Sequence, residues 1–528
     1  MNGRPTVVLE GEGLSIEDII TVATGSAEVA LDPDALERCR ASRKLLEAAV
    51  DTKRVIYGVN TSFGPLCNQI IHADDIETLQ HNLVHNLSAG LGDPLPVEIA
   101  RAMLVVRLNS LIKGYSAVRD EVLNQLVDMI NLGIAPYVPE CGSVGASGDL
   151  VHLGHMALGL IGEGDLFYKG ELRPAAEVFS EVGMTPLRLS FKEGLALLNG
   201  TSAMTALAAF AVADARRLLN VSCATAAFAV EIFNGIEDAF DIDLHRVKPH
   251  PGQVGVAGTV RALVEGSTNI TKREDLHELI RLGDTDSTVF ESDHDVQDVY
   301  SIRCTPQVLA PVMEAIEQAA RTVEIEANSS NDNPLIFPEN DKLLHGGNFH
   351  GQSIGFVMDM LCMAVSTMCN LSERRTNKYL DPNLNKGLPN QLCAGTVGLT
   401  MGLMGTQFVA TSTTAEVRQL ASPVSINNIP CNAANQDVVS MGTVAARKAV
   451  QATDKARHVL TVEVLTNLQA LSFRNAEGLG AGTRSIYDTL NEDFSPFDDS
   501  RPYHGELLRY REMLFDTPMF DDLSDFIG

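Results

Sequence analysis

The chain has little positive charge. Its 40 lysines and arginines face 68 aspartates and glutamates, a formal net charge of -28 over 528 residues. A nucleic-acid partner needs a basic patch to meet its phosphates, and none is visible. The acidic excess reads as a solvated surface. Paired cysteines are missing too: nine are scattered along the chain without a Cys-x-x-Cys spacing. That pattern argues against a zinc site or a disulfide framework and fits a reduced, cytoplasmic protein. Residues 1–14 hold no apolar stretch preceded by positive charge, so no secretory leader is expected there. Long uninterrupted apolar runs are also lacking. The most apolar windows, residues 203–212 and 356–365, are limited by Asp214 and broken by Asp359. They read as buried core helices rather than membrane spans. Neither a fixed-period repeat nor a low-complexity tract occurs.

What is present is helical periodicity. Val118, Val122, Leu126 and Met129 recur at spacings of four and three with Arg119, Asp120 and Asp128 off the stripe, one face of a helix. Leu309, Val312, Ile316, Ala320 and Val323 make a second stripe. Residues 201–233 and 352–371 are apolar nearly all round, which requires enclosure by other helices or other subunits. Strand signals are few: residues 165–168 and 171–173 suggest a hairpin around Lys169-Gly170. These patterns predict a mainly α protein, with a mixed N-terminal domain over 1–195 and a long helical bundle with a helical tail over 196–528. Irregular stretches at 57–68, 141–150, 285–303 and 329–352 interrupt it. Unusual polar chemistry concentrates there, as expected of loops held by a rigid scaffold.

The most informative stretch is Gly142-Ser-Val-Gly-Ala-Ser-Gly-Asp-Leu150. Small residues flank Ser147, so the backbone can fold until the Gly148 nitrogen reaches the Ala146 carbonyl. Alone, Ala-Ser-Gly is a common turn; a phosphate-binding loop fails because no Gly-Lys-Ser/Thr follows. In context, the nonamer resembles the signature of the histidine, phenylalanine and tyrosine ammonia-lyases and their aminomutase relatives. The resemblance continues through Tyr57-Gly-Val-Asn-Thr-Ser-Phe-Gly64, Leu198-Asn-Gly-Thr201, Gln297-Asp-Val-Tyr-Ser-Ile-Arg-Cys-Thr-Pro-Gln307, Asn328-Ser-Ser-Asn-Asp-Asn-Pro334, Gly347-Asn-Phe-His-Gly351 and Asn435-Gln-Asp-Val-Val-Ser-Met-Gly442. In length the chain resembles the compact bacterial form of these enzymes.

The resemblance implies a helical bundle of the fumarase/aspartase-like superfamily. It also implies a methylidene-imidazolone (MIO) electrophile formed by cyclising and dehydrating Ala146, Ser147 and Gly148, with no metal or external cofactor. Tyr57, an ordinary surface tyrosine by default, becomes the base for the substrate β-proton. It can serve only if cationic or electrophilic surroundings lower its pKa. Arg303, otherwise a salt-bridge residue, becomes the clamp on the substrate carboxylate, a task suited to a planar guanidinium. Asn333 is a second carboxylate contact rather than a turn cap. Asn199 and Tyr300 flank the MIO and stabilise charge, and Phe349 packs beside it. Gln436 and Glu416 take polar positions near the amine end, and Gln297 a place beside the substrate. With the amine on the electrophile, loss of the β-proton to Tyr57 expels ammonia and leaves a trans-arylacrylate.

Ring choice in this family is reported by a residue pair that aligns here as Asn86-Leu87, within Leu79-Gln-His-Asn-Leu-Val-His-Asn-Leu-Ser-Ala-Gly90. Histidine lyases typically carry Ser-His there, phenylalanine lyases Phe-Leu and tyrosine lyases His-Leu. Leu87 argues against histidine, and Asn86 offers a hydrogen bond to a ring oxygen. The expectation is a phenylalanine/tyrosine-class lyase that tolerates oxygenated rings. His81 and His85 receive no role. The rivals are an aromatic 2,3-aminomutase, which needs the same motifs, a histidine lyase, and a non-catalytic scaffold, which the presence of Ser147 and Tyr57 disfavours. Fumarase-like lyases carry a Gly-Ser-Ser…Met-Pro-x-Lys loop that is absent. The resemblance also implies a homotetramer with sites shared between subunits.

Overall fold

Helix formation follows the apolar stripes. Val122, Leu126 and Met129 are buried in the helix Asp120–Asn131, and Val118 is buried just before it. The helix starts two residues after that first stripe position: Arg119, its N-cap, has extended backbone (φ -79°, ψ 161°), and both its N–H (3.0 Å) and its guanidinium (2.8 Å) donate to the Glu193 carboxylate. Each of those four apolar side chains stabilises the fold by about 1.5–3 kcal/mol. The second stripe, Leu309 to Val323, is buried along the helix Thr305–Ala327. The two segments that are apolar nearly all round form the helices Ser202–Ile232 and Gln352–Leu380, the latter nine residues longer than the apolar segment itself.

This computed structural model describes residues 3–280, 288, 289, 291, 292, 294–498 and 501–527. Helices dominate and strands are short, grouped in sheets of two or three, so the mainly α expectation holds. The chain divides into two compact units: Met1–Ala213, Gln318–Asp359 and Pro423–Val450 in the first, and Asp214–Glu317, Met360–Ser422 and Gln451–Gly528 in the second.

In the first unit the predicted hairpin is present. Asp165–Tyr168 pairs antiparallel with Glu171–Pro174, and Ala135–Pro136 adds a third strand. Lys169 and Gly170 both have positive φ (53° and 82°), as a two-residue turn between right-twisted strands requires. The stretch 329–352, expected to be irregular, holds a small hairpin, Leu335–Phe337 with Lys342–Leu344. Strands of three residues are too short to show a period of two. In the stretch 285–303, residues 285–287, 290 and 293 lie outside the described residues, and Tyr300–Arg303 forms one helical turn.

The helix Gln352–Leu380 is long and apolar enough to cross a membrane by composition alone, but 72% of its most apolar stretch is buried within the protein. A core helix has that property. Phe356 and Met363 remain exposed on it, and Phe408 on the helix Met404–Leu420.

Candidate active site

The Ala146-Ser147-Gly148 turn is pinned on both sides. Before it, the Val144 carbonyl accepts from the Met441 N–H (2.8 Å), and the Gly145 carbonyl accepts from the Gly351 N–H (3.0 Å) and the Ser440 hydroxyl (2.9 Å). The buried imidazole of His152 bonds the Glu140 carbonyl through Nε2 (3.2 Å) and the Ser143 hydroxyl through Nδ1 (2.8 Å). A carbonyl only accepts, so Nε2 carries the proton and Ser143 donates to Nδ1. Burial holds His152 down to about 4, hence neutral.

After the turn, Asp149 reaches the first turn of the helix Ser202–Ile232. Its carboxylate accepts from the N–H groups of Ala203 and Met204 (both 2.9 Å) and from the Thr443 hydroxyl. A carboxylate at a helix N-terminus is favoured by the unsatisfied N–H groups there. Burial nevertheless raises Asp149 to about 6.

Gly148 itself has φ +74°, and a Cβ on it would lie 2.0 Å from the Gly200 carbonyl oxygen. Only glycine fits this left-handed position against another stretch of backbone. Two amides address the serine between them. Asn199 Nδ2 donates to the Ser147 carbonyl (2.8 Å), and Gln436 Nε2 donates to the Ser147 Oγ (3.0 Å). Closure of the three residues into a ring would keep that carbonyl and expel that hydroxyl, so both donors would suit such a ring and the reaction that makes it.

Ser147 opens into a cavity of about 450 Å³ within the first unit. Tyr57, Asn86, Leu87, Asn199, Asn333, Phe349 and Gln436 line it, so eight of the predicted site residues share one space. Ala146 and Gly148 flank Ser147 in the turn. The helix Ile76–Leu87 contributes Leu79, Asn82, Leu83, Asn86 and Leu87, a single face by its spacing,. Leu150 and Leu195 add to the apolar wall, and no lining residue is charged.

Tyr57 accepts a hydrogen bond at its hydroxyl from the Gly64 N–H (3.0 Å), within its own loop. Burial raises its pKa above the usual tyrosine value, and the Gly64 contact only partly opposes that. The cationic surroundings expected of a base are therefore not supplied by the cavity lining. Asn333 Oδ1 accepts from the Gly346 N–H (2.9 Å), which leaves its NH₂ group as the free donor end,.

Gln297 and Arg303 line another cavity, of about 590 Å³, in the second unit. Arg303 lies over the Tyr300 ring (4.6 Å to its centroid), and Tyr300 is exposed. The buried Arg303 Nε has no hydrogen-bond partner among the described residues. Glu416 is exposed on the helix Met404–Leu420, ion-paired to Lys455.

A family profile described as aromatic amino acid lyase matches residues 14–492. The chain belongs to that family. A histidine ammonia-lyase from Alkaliphilus metalliredigens is 40% identical over 522 residues, 99% of each chain. A tyrosine 2,3-aminomutase from a Myxococcus strain is 43% identical, over 94% of this chain and 95% of that one. Among solved structures, the phenylalanine aminomutase of Pantoea agglomerans matches with a TM-score of 0.93 at 36% identity, covering 97% of this chain and 99% of that chain. The protein is thus a carbon–nitrogen lyase acting on small amino-acid substrates, in a family that uses MIO.

Several residues that shape this lyase's cavity were not anticipated. Asn82, Asn432, Asn435 and Phe63 line it; Asn82 repeats Asn86 one turn earlier, a signal the helical period carried. Beneath the lining lies a buried polar frame. The Arg107 guanidinium donates to Asn331 Oδ1 (2.9 Å) and to the Asn199 carbonyl (3.0 Å). Lys192 is ion-paired to Asp332 with both side chains fully buried. Asn331 and Asp332 thus anchor the strand of chain that carries Asn333 into the cavity. Cutting one partner from such a buried pair costs about 3–5 kcal/mol.

Proposed function

We propose that this lyase removes ammonia from L-phenylalanine/L-tyrosine-class amino acids to give a trans-arylacrylate, and that it accepts an oxygenated ring. One observation carries the reading: a single cavity is lined both by Ser147 with its two amide donors and by a face of five apolar or amide side chains from one helix. Ala146, Ser147 and Gly148 closed into MIO would supply an electrophilic carbon that no ordinary side chain offers.

The remaining work falls to the chain's own groups. Asn199 holds the carbonyl of residue 147, and Gln436 stabilises the oxygen that leaves it. Tyr57 Oη accepts the substrate β-proton, Asn333 and Arg303 hold the carboxylate, and Phe349 covers the reacting end. Gln297, Tyr300 and Glu416 act beside the amine and carboxylate. Leu79, Leu83 and Leu87 bury the ring, an apolar gain of about 25 cal/mol per Å², while Asn82 and Asn86 meet a ring oxygen.

Arg303, unpartnered at Nε, comes from another protomer of a homotetramer. Phe356 and Met363, seven residues apart and so on one face of the helix Gln352–Leu380, are both exposed, as is Phe408, and an apolar helix face of this kind supports such an assembly. The scattered, odd-numbered cysteines suit a cytoplasmic setting.

A second reading has specific support. Relatives named tyrosine 2,3-aminomutase and phenylalanine aminomutase are as similar as those named histidine ammonia-lyase, and an aminomutase would use the same groups while returning ammonia to the β-carbon. Incubation with L-phenylalanine, L-tyrosine, L-dopa and L-histidine separately, with chromatography of products, decides. Arylacrylate as the main product is expected; β-amino acid as the main product would establish the mutase, and urocanate alone would refute the ring assignment.

A further inference from the structure

The helix that lines the cavity with Asn82 and Asn86 carries two histidines on its opposite side. His81 and His85 are four residues apart, hence stacked on one face,, with ring centroids 4.4 Å apart. Both meet Glu163, just past the end of the helix Leu150–Leu160. His81 Nε2 lies 3.4 Å from Glu163 Oε1, and His85 Nε2 lies 2.7 Å from Glu163 Oε2. All three donor atoms fall within 4.8 Å of one another.

We propose that His81, His85 and Glu163 bind one divalent transition-metal ion, of the zinc class, at a solvent-facing site that ties these two helical segments together. Metal–nitrogen and metal–oxygen bonds of about 2.0–2.2 Å in a tetrahedral site place neighbouring donors roughly 3.3–3.5 Å apart. The His81–Glu163 separation already matches, and the 2.7 Å contact opens by rotation of a carboxylate that is 44% exposed. Two imidazoles with one carboxylate select zinc, cobalt or nickel over magnesium or calcium, which prefer all-oxygen shells. The fourth position faces water.

The site is separate from the reaction. None of its three ligands lines Ser147's cavity. Its consequence is mechanical: the ion fastens the helix bearing Leu79, Asn82, Leu83, Asn86 and Leu87 to the segment that begins with Leu150, another lining residue. Binding stabilises the folded chain by mass action, because the ligands converge only when it is folded.

The test uses untagged, chelator-treated protein titrated with Co²⁺, followed by visible absorption, and with Zn²⁺, followed by calorimetry. One ion per chain is expected, with a Kd tighter than about 10⁻⁵ M. His81→Gln/His85→Gln and Glu163→Gln should each weaken binding at least about tenfold and remove the thermal shift caused by Zn²⁺. Ser147→Ala, which leaves the ligands untouched, should bind as the parent does. Weaker binding in the parent, or binding that survives the double histidine substitution, overturns the proposal.

Discussion

The cavity of the first unit and the arginine-bearing pocket of the second differ in charge far more than in size. The first is walled by leucines, amides and aromatic rings without one charged side chain. The second, 590 Å³ against 450 Å³, is lined by Asp238, Asp241, Asp298, Arg273 and Arg303. Arg273 is engaged there by Asp238, whereas the buried Nε of Arg303 has no partner among the described residues. An amino-acid carboxylate leaving water demands a cation or several donors. The first cavity therefore offers a carboxylate amide donors but no cation. The same deficit appears at Tyr57, raised by burial with no cation among the lining residues to bring it down. Chemistry and charge reside in different parts of the sequence, and the proposed assembly of four chains would reunite them.

The largest effect should come from removing the electrophile. Intact parent protein should lack the mass of two waters, localised to the peptide holding Ala146–Gly148. Ser147→Ala should prevent loss of the side-chain water and lower kcat by about 10³-fold or more, the scale of losing a central catalytic group. An active parent with unmodified mass would refute the cyclised triad.

Next, Tyr57→Phe should lower kcat by about 10²-fold with the mass loss intact. As the proposed base, Tyr57 would react deprotonated, and burial raises its pKa, so the parent's kcat should climb with pH towards the alkaline side. The Phe variant should lose that climb; a retained alkaline limb would mean that another group takes the proton. Arg303→Ala should cost a comparable factor, mainly in kcat/KM. Mixed oligomers of the Tyr57 and Arg303 variants, refolded or co-expressed, should regain activity that neither shows alone. If they do not, both residues act from one chain and the contrast between the two regions has no functional meaning.

How much of this was legible beforehand depended on the range of the interaction. Helical stripes and the Lys169-Gly170 turn are local, so Val122 to Met129 and the hairpin were readable directly. The triad and its two amides, Asn199 and Gln436, were named through the family resemblance, since 52 and 289 positions separate them from Ser147. Arg107 and Lys192 left no trace. Their partners Asn331 and Asp332 lie 224 and 140 positions away, and a lone basic residue in an apolar stretch gives no hint of which carboxylate or amide will meet it. Glu163 escaped for the same reason, although the His81–His85 spacing was in plain view. The hairpin at Leu335–Leu344 was missed because three-residue strands carry no period.

The smallest and most discriminating effect concerns the ring wall. Asn86 lines the cavity on the same helix face as Asn82 and Leu83, and is exposed in the single chain. Asn86→Phe replaces an amide that can bond a phenolic oxygen with an apolar ring. Because water can still reach the site, the lost hydrogen bond should cost at the lower end of the usual range, about 1 kcal/mol. The ratio of kcat/KM for tyrosine over phenylalanine should then fall by about fivefold or more. Asn86→His keeps a donor and should hold or raise that ratio. Asn82→Leu separates the two amides: a fall there with none at Asn86 would move ring reading one helical turn towards the N-terminus. If all three variants keep the parent's ratio, the amide face does not read the ring, and the preference for oxygenated substrates loses its physical basis. The proposed roles of the electrophile, Tyr57 and Arg303 would stand regardless, since they concern the amine, the β-proton and the carboxylate rather than the ring.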